Sequence, residues 1–149
     1  MKRAPFKRRK KGEITKLKEE LWKLCRQISS RTQPHSCYTC NTPLRWGSSV
    51  MQLGHFIARS FASQELIFDL KNLRWQCRIC NQFRSGEWQK FEARLILEEG
   101  QAYVDELKER NRVTRGTTYL KEWYLGKIVE YTALLSTLEG RQPGENTHT

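Results

Sequence analysis

The sequence predicts an α+β fold: a short metal-stapled β-hairpin set among amphipathic helices. Three observations carry that expectation. Two Cys-x-x-Cys pairs, Cys37/Cys40 and Cys77/Cys80, bracket a stretch with strand-like alternation. On either side, apolar residues step by three and four, as on one face of a helix. At 149 residues, with 38% hydrophobic residues and a mean hydropathy of -0.75, the chain has a modest core that a structural metal would support.

Residues 1–11 carry seven basic side chains and no acidic one, which reads as a disordered arm that orders on phosphate. From about residue 12 to 29 a helix is expected, because Ile14, Leu17, Leu21, Leu24 and Ile28 share one face. Cys25 lies beside that stripe as a small core residue. Residues 30–36 form a linker. Val50–Phe56 alternates and reads as the first strand, with His55 on the face of Leu53. Phe61–Leu70 reads as a loop, and Asn72–Gln76 as the returning strand. A helix is expected to start near Asn81, break at Ser85-Gly86, and resume over about 87–98 with Trp88, Phe91 and Leu95 inward. Gly100 ends it. A short charged helix over 102–110 follows, then the longest one over 118–138. Its stripe is Leu120, Tyr124, Ile128, Tyr131, Leu135 and Leu138. Residues 140–149 read as a disordered tail.

The spacing of the four cysteines points to chemistry. A two-residue spacer lets one turn present two soft sulfurs to one ion, and two such turns make a tetrahedral zinc site. Cys37, Cys40, Cys77 and Cys80 leave no position open for water, so this zinc is expected to be structural. His35, two residues before Cys37, is then surplus to the ligand set. An odd total of five cysteines with zinc spacing argues against a disulfide framework and for a reducing, intracellular compartment.

The net charge of +11 and a pI near 9.7 favour a polyanionic partner, most simply nucleic acid. The charge is uneven: residues 1–31 hold 12 Lys/Arg against 3 Glu. Lys7, Arg8, Arg9, Lys10 and Lys11 are therefore candidate DNA contacts. So are Arg59, four residues after His55, and Arg74, Arg78 and Arg84 around the second knuckle. No apolar run is long enough for a membrane span, and the basic N-terminus lacks the apolar region of a signal peptide.

Hydrolysis of a phosphodiester needs a base, a group that orients the base, and a cation for the developing charge. His55 suits the first role, because imidazole titrates near neutral pH. Asn72 is expected to hold the ring through its side-chain carbonyl. Asn81 is expected to offer an oxygen to magnesium, or to manganese in its place. Gly54-His55, Asn72-Leu73-Arg74 and Cys77-x-x-Cys80-Asn81 resemble the motif of the HNH, or His-Me finger (ββα-metal), nucleases. That resemblance implies the same three roles for His55, Asn72 and Asn81. A phage junction endonuclease of the endonuclease VII type has a similar order of knuckle, histidine, knuckle and asparagine.

A closer resemblance is to the phage NinG (Rap) recombination endonuclease family. Gly54-His55-Phe56, Gln76-Cys77, Cys80-Asn81, Ser85-Gly86, Phe91, Leu95, Gly100 and Leu107 carry it, over about residues 37–110. It implies a structure-directed endonuclease that cuts branched DNA, such as Holliday junctions or D-loops, in the cytoplasm of a bacterial host and alongside recombination proteins. Cutting a junction symmetrically implies a homodimer. The chain would then divide into a basic arm, 1–11, an N-terminal helix, 12–29, a zinc-bound HNH-like core, 37–110, a C-terminal helix, 118–138, and a tail, 140–149. One departure stands out. Many HNH enzymes carry Asp or Glu just before the histidine as a metal ligand, and this chain has Gly54. Gln52, Glu65, Asp69 and Glu87 are the candidates to replace it. Two alternatives stay open: a zinc-stabilised DNA-binding module without catalysis, and an HNH nuclease that cuts duplex DNA.

Overall fold

A computed structural model describes residues 11–140. The candidate contacts Lys7, Arg8, Arg9 and Lys10, and residues 141–149 of the tail, lie outside the described residues. The elements run α1 (Glu13–Thr32), β1 (Met51–His55), α2 (Gln64–Ile67), β2 (Leu73–Cys77), α3 (Trp88–Glu99), α4 (Gln101–Thr114) and α5 (Lys121–Thr137). The architecture is α+β, with a single small sheet among the described residues.

β1 and β2 pair antiparallel, from Met51 opposite Cys77 to His55 opposite Leu73. This register puts Met51, Leu53, Leu73, Trp75 and Cys77 on one face. That face packs with Leu21, Leu24, Cys25 and Ile28 of α1 and Tyr124 and Tyr131 of α5 into the larger core. Burying each large aliphatic side chain stabilises the fold by about 1.5–3 kcal/mol. Phe56 and Leu66, with Tyr38, build a second core on Phe91 and Leu95 of α3 and Val104 and Leu107 of α4. The free edge of β2 is closed without a third strand. The Gln33 side chain accepts from Trp75 N (3.2 Å) and donates to Leu73 O (3.0 Å), and Tyr38 N donates to Trp75 O (2.8 Å).

Several local expectations need correction. The stretch expected to be a loop contains α2, because the Ser63 hydroxyl accepts from Leu66 N and caps a helical turn. No α-helix starts at Asn81: residues Ile79–Phe83 form a π-helical turn. The break at Ser85-Gly86 is sharp, with Ser85, Gly86 and Glu87 all at positive φ. Trp88 does not point inward and is exposed. α4 runs four residues past its expected end. In the α5 stripe Tyr124, Tyr131 and Leu138 are buried, but Leu120 precedes the helix and is exposed. Helical spacing identifies a face, not whether a neighbour covers its last turn.

Leu21 is fully buried where α1 meets the hairpin, whereas Leu97 is 86% exposed on α3. Leu21→Ala should cost about 2–5 kcal/mol in urea unfolding of the zinc-loaded protein, and Leu97→Ala less than about 0.5 kcal/mol.

Candidate functional site

The two knuckles meet. The sulfurs of Cys37, Cys40, Cys77 and Cys80 all lie within 4.8 Å of one another. Cys40 and Cys77 sulfurs are 3.8 Å apart, the edge of a tetrahedron built on Zn–S bonds of about 2.3 Å. The first knuckle is a tight loop, closed by Cys37 N to Thr42 O and Asn41 N to Cys37 O, both 2.8 Å, with Asn41 at φ 60°. The second begins where β2 ends, and Cys80 N donates to Cys77 Sγ (3.4 Å). Burial raises the Cys80 thiol to about 12, with the neighbouring sulfurs adding to the rise. At Cys37 burial also pushes upward, but the Thr39 hydroxyl and backbone N–H groups outweigh it and bring the thiol to about 6. A dication would neutralise this crowded sulfur charge, and the four cysteines could hold a metal such as zinc. His35 is not part of the cluster; its Nε2 donates to Ser30 O (2.9 Å) and its ring stacks on Trp46. Cys25 lies apart in the core, its thiol raised to about 12 chiefly by burial.

His55 ends β1 at the wall of a cleft of about 980 Å³. Its ring lies parallel to the indole of Trp22 on α1, with centroids 5.3 Å apart and planes 6° from parallel. Nε2 is 3.0 Å from the Ile67 carbonyl. A carbonyl only accepts, so Nε2 carries the proton and Nδ1 keeps its lone pair. Burial lowers the ring's pKa to about 4, helped by the charge of Arg59 and opposed by the Ile67 carbonyl. The imidazole is therefore neutral at physiological pH.

Asn72 does not hold this ring. It is fully buried at the end of a 3-10 turn, and its Oδ1 accepts from Ile57 N (2.8 Å). Its Nδ2 donates to the carbonyls of Ile57 (3.2 Å) and Leu66 (3.0 Å). It ties Ile57 to Leu66, the residue just before the one whose carbonyl meets the His55 ring. Other elements pin the same segment. Asn111 bonds Ser63 N and Phe61 O, and the Tyr131 hydroxyl donates to Phe68 O (2.7 Å).

Asn81, in the π-helical turn, lines the same cleft as His55. Strand alternation gives Gly54 and His55 opposite faces, but His55 is the last strand residue and lies at the sheet's rim. Arg59 also lines the cleft, its guanidinium 5.0 Å from the centre of the Trp22 ring. Arg74 is turned into the protein rather than out to solvent. Its side chain is 12% exposed, donates to the carbonyls of Leu70, Lys71 and Leu73, and faces Glu99 at 3.7 Å. Arg78 is exposed and bonds Gln82; Arg84 is exposed and pairs with Glu87 at 3.5 Å. Lys11 pairs with Glu19. Of the candidates to replace a carboxylate at position 54, Glu65 and Asp69 are engaged by Arg110, and Glu87 by Arg84 and Lys90. Gln52 does lie in the cleft, where its Oε1 accepts from Asn81 Nδ2 (2.9 Å).

Sequence reasoning missed Trp22, Arg26 and Lys108 as cleft residues. Trp22 and Arg26 lie four apart on α1, a signal that becomes informative only once α1 is known to cross the hairpin.

A model of the family described as "Bacteriophage Lambda NinG protein" matches residues 2–139. The chain belongs to the NinG family. Its ninG relative from Salmonella phage P22 is 34% identical over 91 residues, covering 61% of this chain and 43% of the relative. The ninG protein of Escherichia phage lambda is 32% identical over 90 residues, covering 60% of this chain and 42% of that one. Each match thus spans less than half the length of these curated NinG relatives. No solved structure matches. None of the described helices is long and apolar enough to cross a membrane.

Two outcomes are expected of this site. Stripping zinc with a chelator should abolish the hairpin's amide protection and reduce ellipticity, and added zinc should restore both, because apparent metal binding of about 10–16 kcal/mol is folding energy in small zinc sites. The pKa of His55 is lower in the fold, about 4, than in the unfolded chain, so the unfolded state takes up the proton first. Its contribution to stability is complete above about pH 6.5 and declines as pH falls toward 4. Chemical denaturation across that range should show a shallower decline for His55→Asn than for the parent chain.

Proposed function

We propose that this NinG-family chain is a metal-dependent DNA endonuclease of the HNH, or ββα-metal, type that cuts branched recombination intermediates. One observation carries the reading. A neutral histidine, with one nitrogen tied to a backbone carbonyl and the other free, lines a cleft with Asn81, Arg26, Arg59 and Lys108. β1, β2, the π-helical turn and α3 then correspond to the ββα unit, with the four cysteines fastening the turn to the first knuckle.

The chemistry follows from the ring's environment. The Ile67 carbonyl holds the Nε2–H, so the Nδ1 lone pair takes the proton of an attacking water. The water oxygen bonds to phosphorus as the phosphodiester P–O bond on the opposite side breaks, and the departing oxygen leaves with the electron pair. Burial keeps the imidazole from being protonated in advance, and an incoming phosphate offsets the charge of Arg59 and raises the ring's basicity. Arg59 and Arg26 supply positive charge to the bound backbone. Phe61 and Trp88 are exposed at the cleft and offer faces for unpaired bases.

The residues fit a hard cation such as magnesium or manganese, because Asn81 Nδ2 is committed to Gln52 and its Oδ1 lies against Gly54. When bound there, the ion would supply charge neutralisation to the phosphate and the leaving oxygen. Symmetric cutting of a junction calls for two such sites, so a homodimer is part of the proposal. Recombination proteins of the host or phage are its expected partners, in the host cytoplasm.

The test is cleavage of a four-way junction and of linear duplexes with the same sequences, with magnesium. The parent chain should cut the junction preferentially, and His55→Ala should lower that rate by about 10²–10⁴ with junction binding retained. Equal binding without cutting by either protein would favour a zinc-stabilised DNA-binding module. Faster cutting of linear duplex would favour a duplex-reading enzyme.

A further inference from the structure

Gly54 stands where a carboxylate is expected, and the structure shows what occupies the space its side chain would fill. A Cβ built on Gly54 would lie 2.1 Å from Gln76 Oε1 and 3.2 Å from Asn81 Oδ1. Gln76 belongs to β2, is fully buried, and shares the sheet face of Gly54 and Gln52. Its Oε1 has no hydrogen-bond partner among the described residues. A buried, unpaired amide oxygen is uncommon in a native fold and calls for a reason.

Both amide orientations are set by backbone carbonyls, which can only accept. Gln76 Nε2 donates to Gly86 O (2.8 Å) and to the Thr39 hydroxyl (3.1 Å), so Oε1 is turned toward Gly54. Gln52 Nε2 donates to Ser49 O (3.4 Å), which leaves Gln52 Oε1 to accept from Asn81 Nδ2 (2.9 Å). Asn81 Oδ1 is thereby turned toward Gly54 as well. Two oxygens from different elements converge on the space a Cβ of Gly54 would take, each fixed by hydrogen bonds at the far end of its own amide.

We propose that Gln76 Oε1, buried behind the cleft wall that Asn81 lines, is a second protein ligand, with Asn81 Oδ1, for a divalent cation held against Gly54, and that Gly54 is glycine because a side chain there would displace it. The inference rests on the nuclease reading for the cation's role, and it deepens that reading. Neutral amide oxygens suit a hard cation but carry no charge to attract it. The guanidinium groups of Arg26 and Arg59 in the cleft oppose a free cation further, while the Glu92 carboxylate there is taken up by Lys108. The ion therefore binds weakly alone and tightly with a phosphate, which supplies the missing negative oxygen. Metal loading and substrate binding become one event.

The test uses the zinc-loaded full chain and manganese ions, with affinity read by electron paramagnetic resonance, alone and with a non-cleaved junction. Gln76→Met, which keeps the volume and loses the oxygen, should weaken manganese binding at least about tenfold, as Asn81→Ala does. Gly54→Ala should do the same. Unchanged manganese affinity in Gln76→Met overturns the inference. If that variant loses its zinc, the side-chain Cδ resonance of Gln76 in the parent chain decides instead. It should shift on magnesium titration together with that of Asn81 Cγ, and no shift of Gln76 at saturation overturns the proposal. A parent chain that cuts junctions while Gln76→Met binds manganese normally sinks this inference alone. A parent chain that neither binds manganese nor cuts removes the nuclease reading too.

Discussion

Everything in the cleft depends on the contact between two cysteine turns far apart in sequence. Thirty-six residues separate Cys40 from Cys77, and between them lie the hairpin, α2 and the histidine. Joining these turns fixes the start of β1 relative to the end of β2, and with them the register that sets Gly54 across from Arg74 and beside Gln76. The staple also fastens the π-helical turn that carries Asn81, since Cys80 is the residue before it. A chain of modest hydrophobicity divides its apolar packing between two small cores, and the larger one takes in Cys37, Cys77 and Cys80, so the staple and that core support each other.

Among the described residues, no side chain is hydrogen-bonded to the Nε2 of the histidine. The partner is a backbone carbonyl, and the work of placing it is spread over residues from a 3-10 turn and two helices. Asn72 clamps the segment from inside, Asn111 of α4 holds it near Ser63, and Tyr131 of α5 takes the next carbonyl along. Arg110 ties Glu65 and Asp69 to α4 on the outer side. Burial pushes the Glu65 carboxyl upward, but its hydrogen bonds to Arg110 and Tyr119 and the charges of Arg110 and Lys127 outweigh it and hold the group below its ordinary value. The helices that follow the motif therefore do more than fill space: they set the tautomer of the ring.

How much of this could be read beforehand depends on how local each signal is. The four cysteines were legible because two residues of spacing are enough to bring a pair of sulfurs together. The placement of His55 on the Leu53 face was legible because strand alternation is a local rule. Asn72 was expected to hold the ring by its own side chain, but the carbonyl that meets the ring comes from a segment that α4 and α5 also hold. The enclosure of Arg74 was not legible, because nothing in its neighbours in sequence announces that Tyr38, Tyr103 and Glu99 surround it. Gly54 looked like a gap in the motif, and only the folded hairpin shows that the Gln76 side chain, one pair along the register, occupies the space a side chain there would take.

The parallel stack of Trp22 on His55 has a further consequence. An indole facing an imidazole loses fluorescence when that imidazole becomes a cation, because the charged ring accepts an electron from the excited state. Trp22 is thus an intrinsic optical witness to the charge on His55. The emission difference between the parent chain and one lacking the imidazole isolates that signal from the four other tryptophans. Protonation of a single ring can then be followed in real time, without a label, while nucleic acid is added.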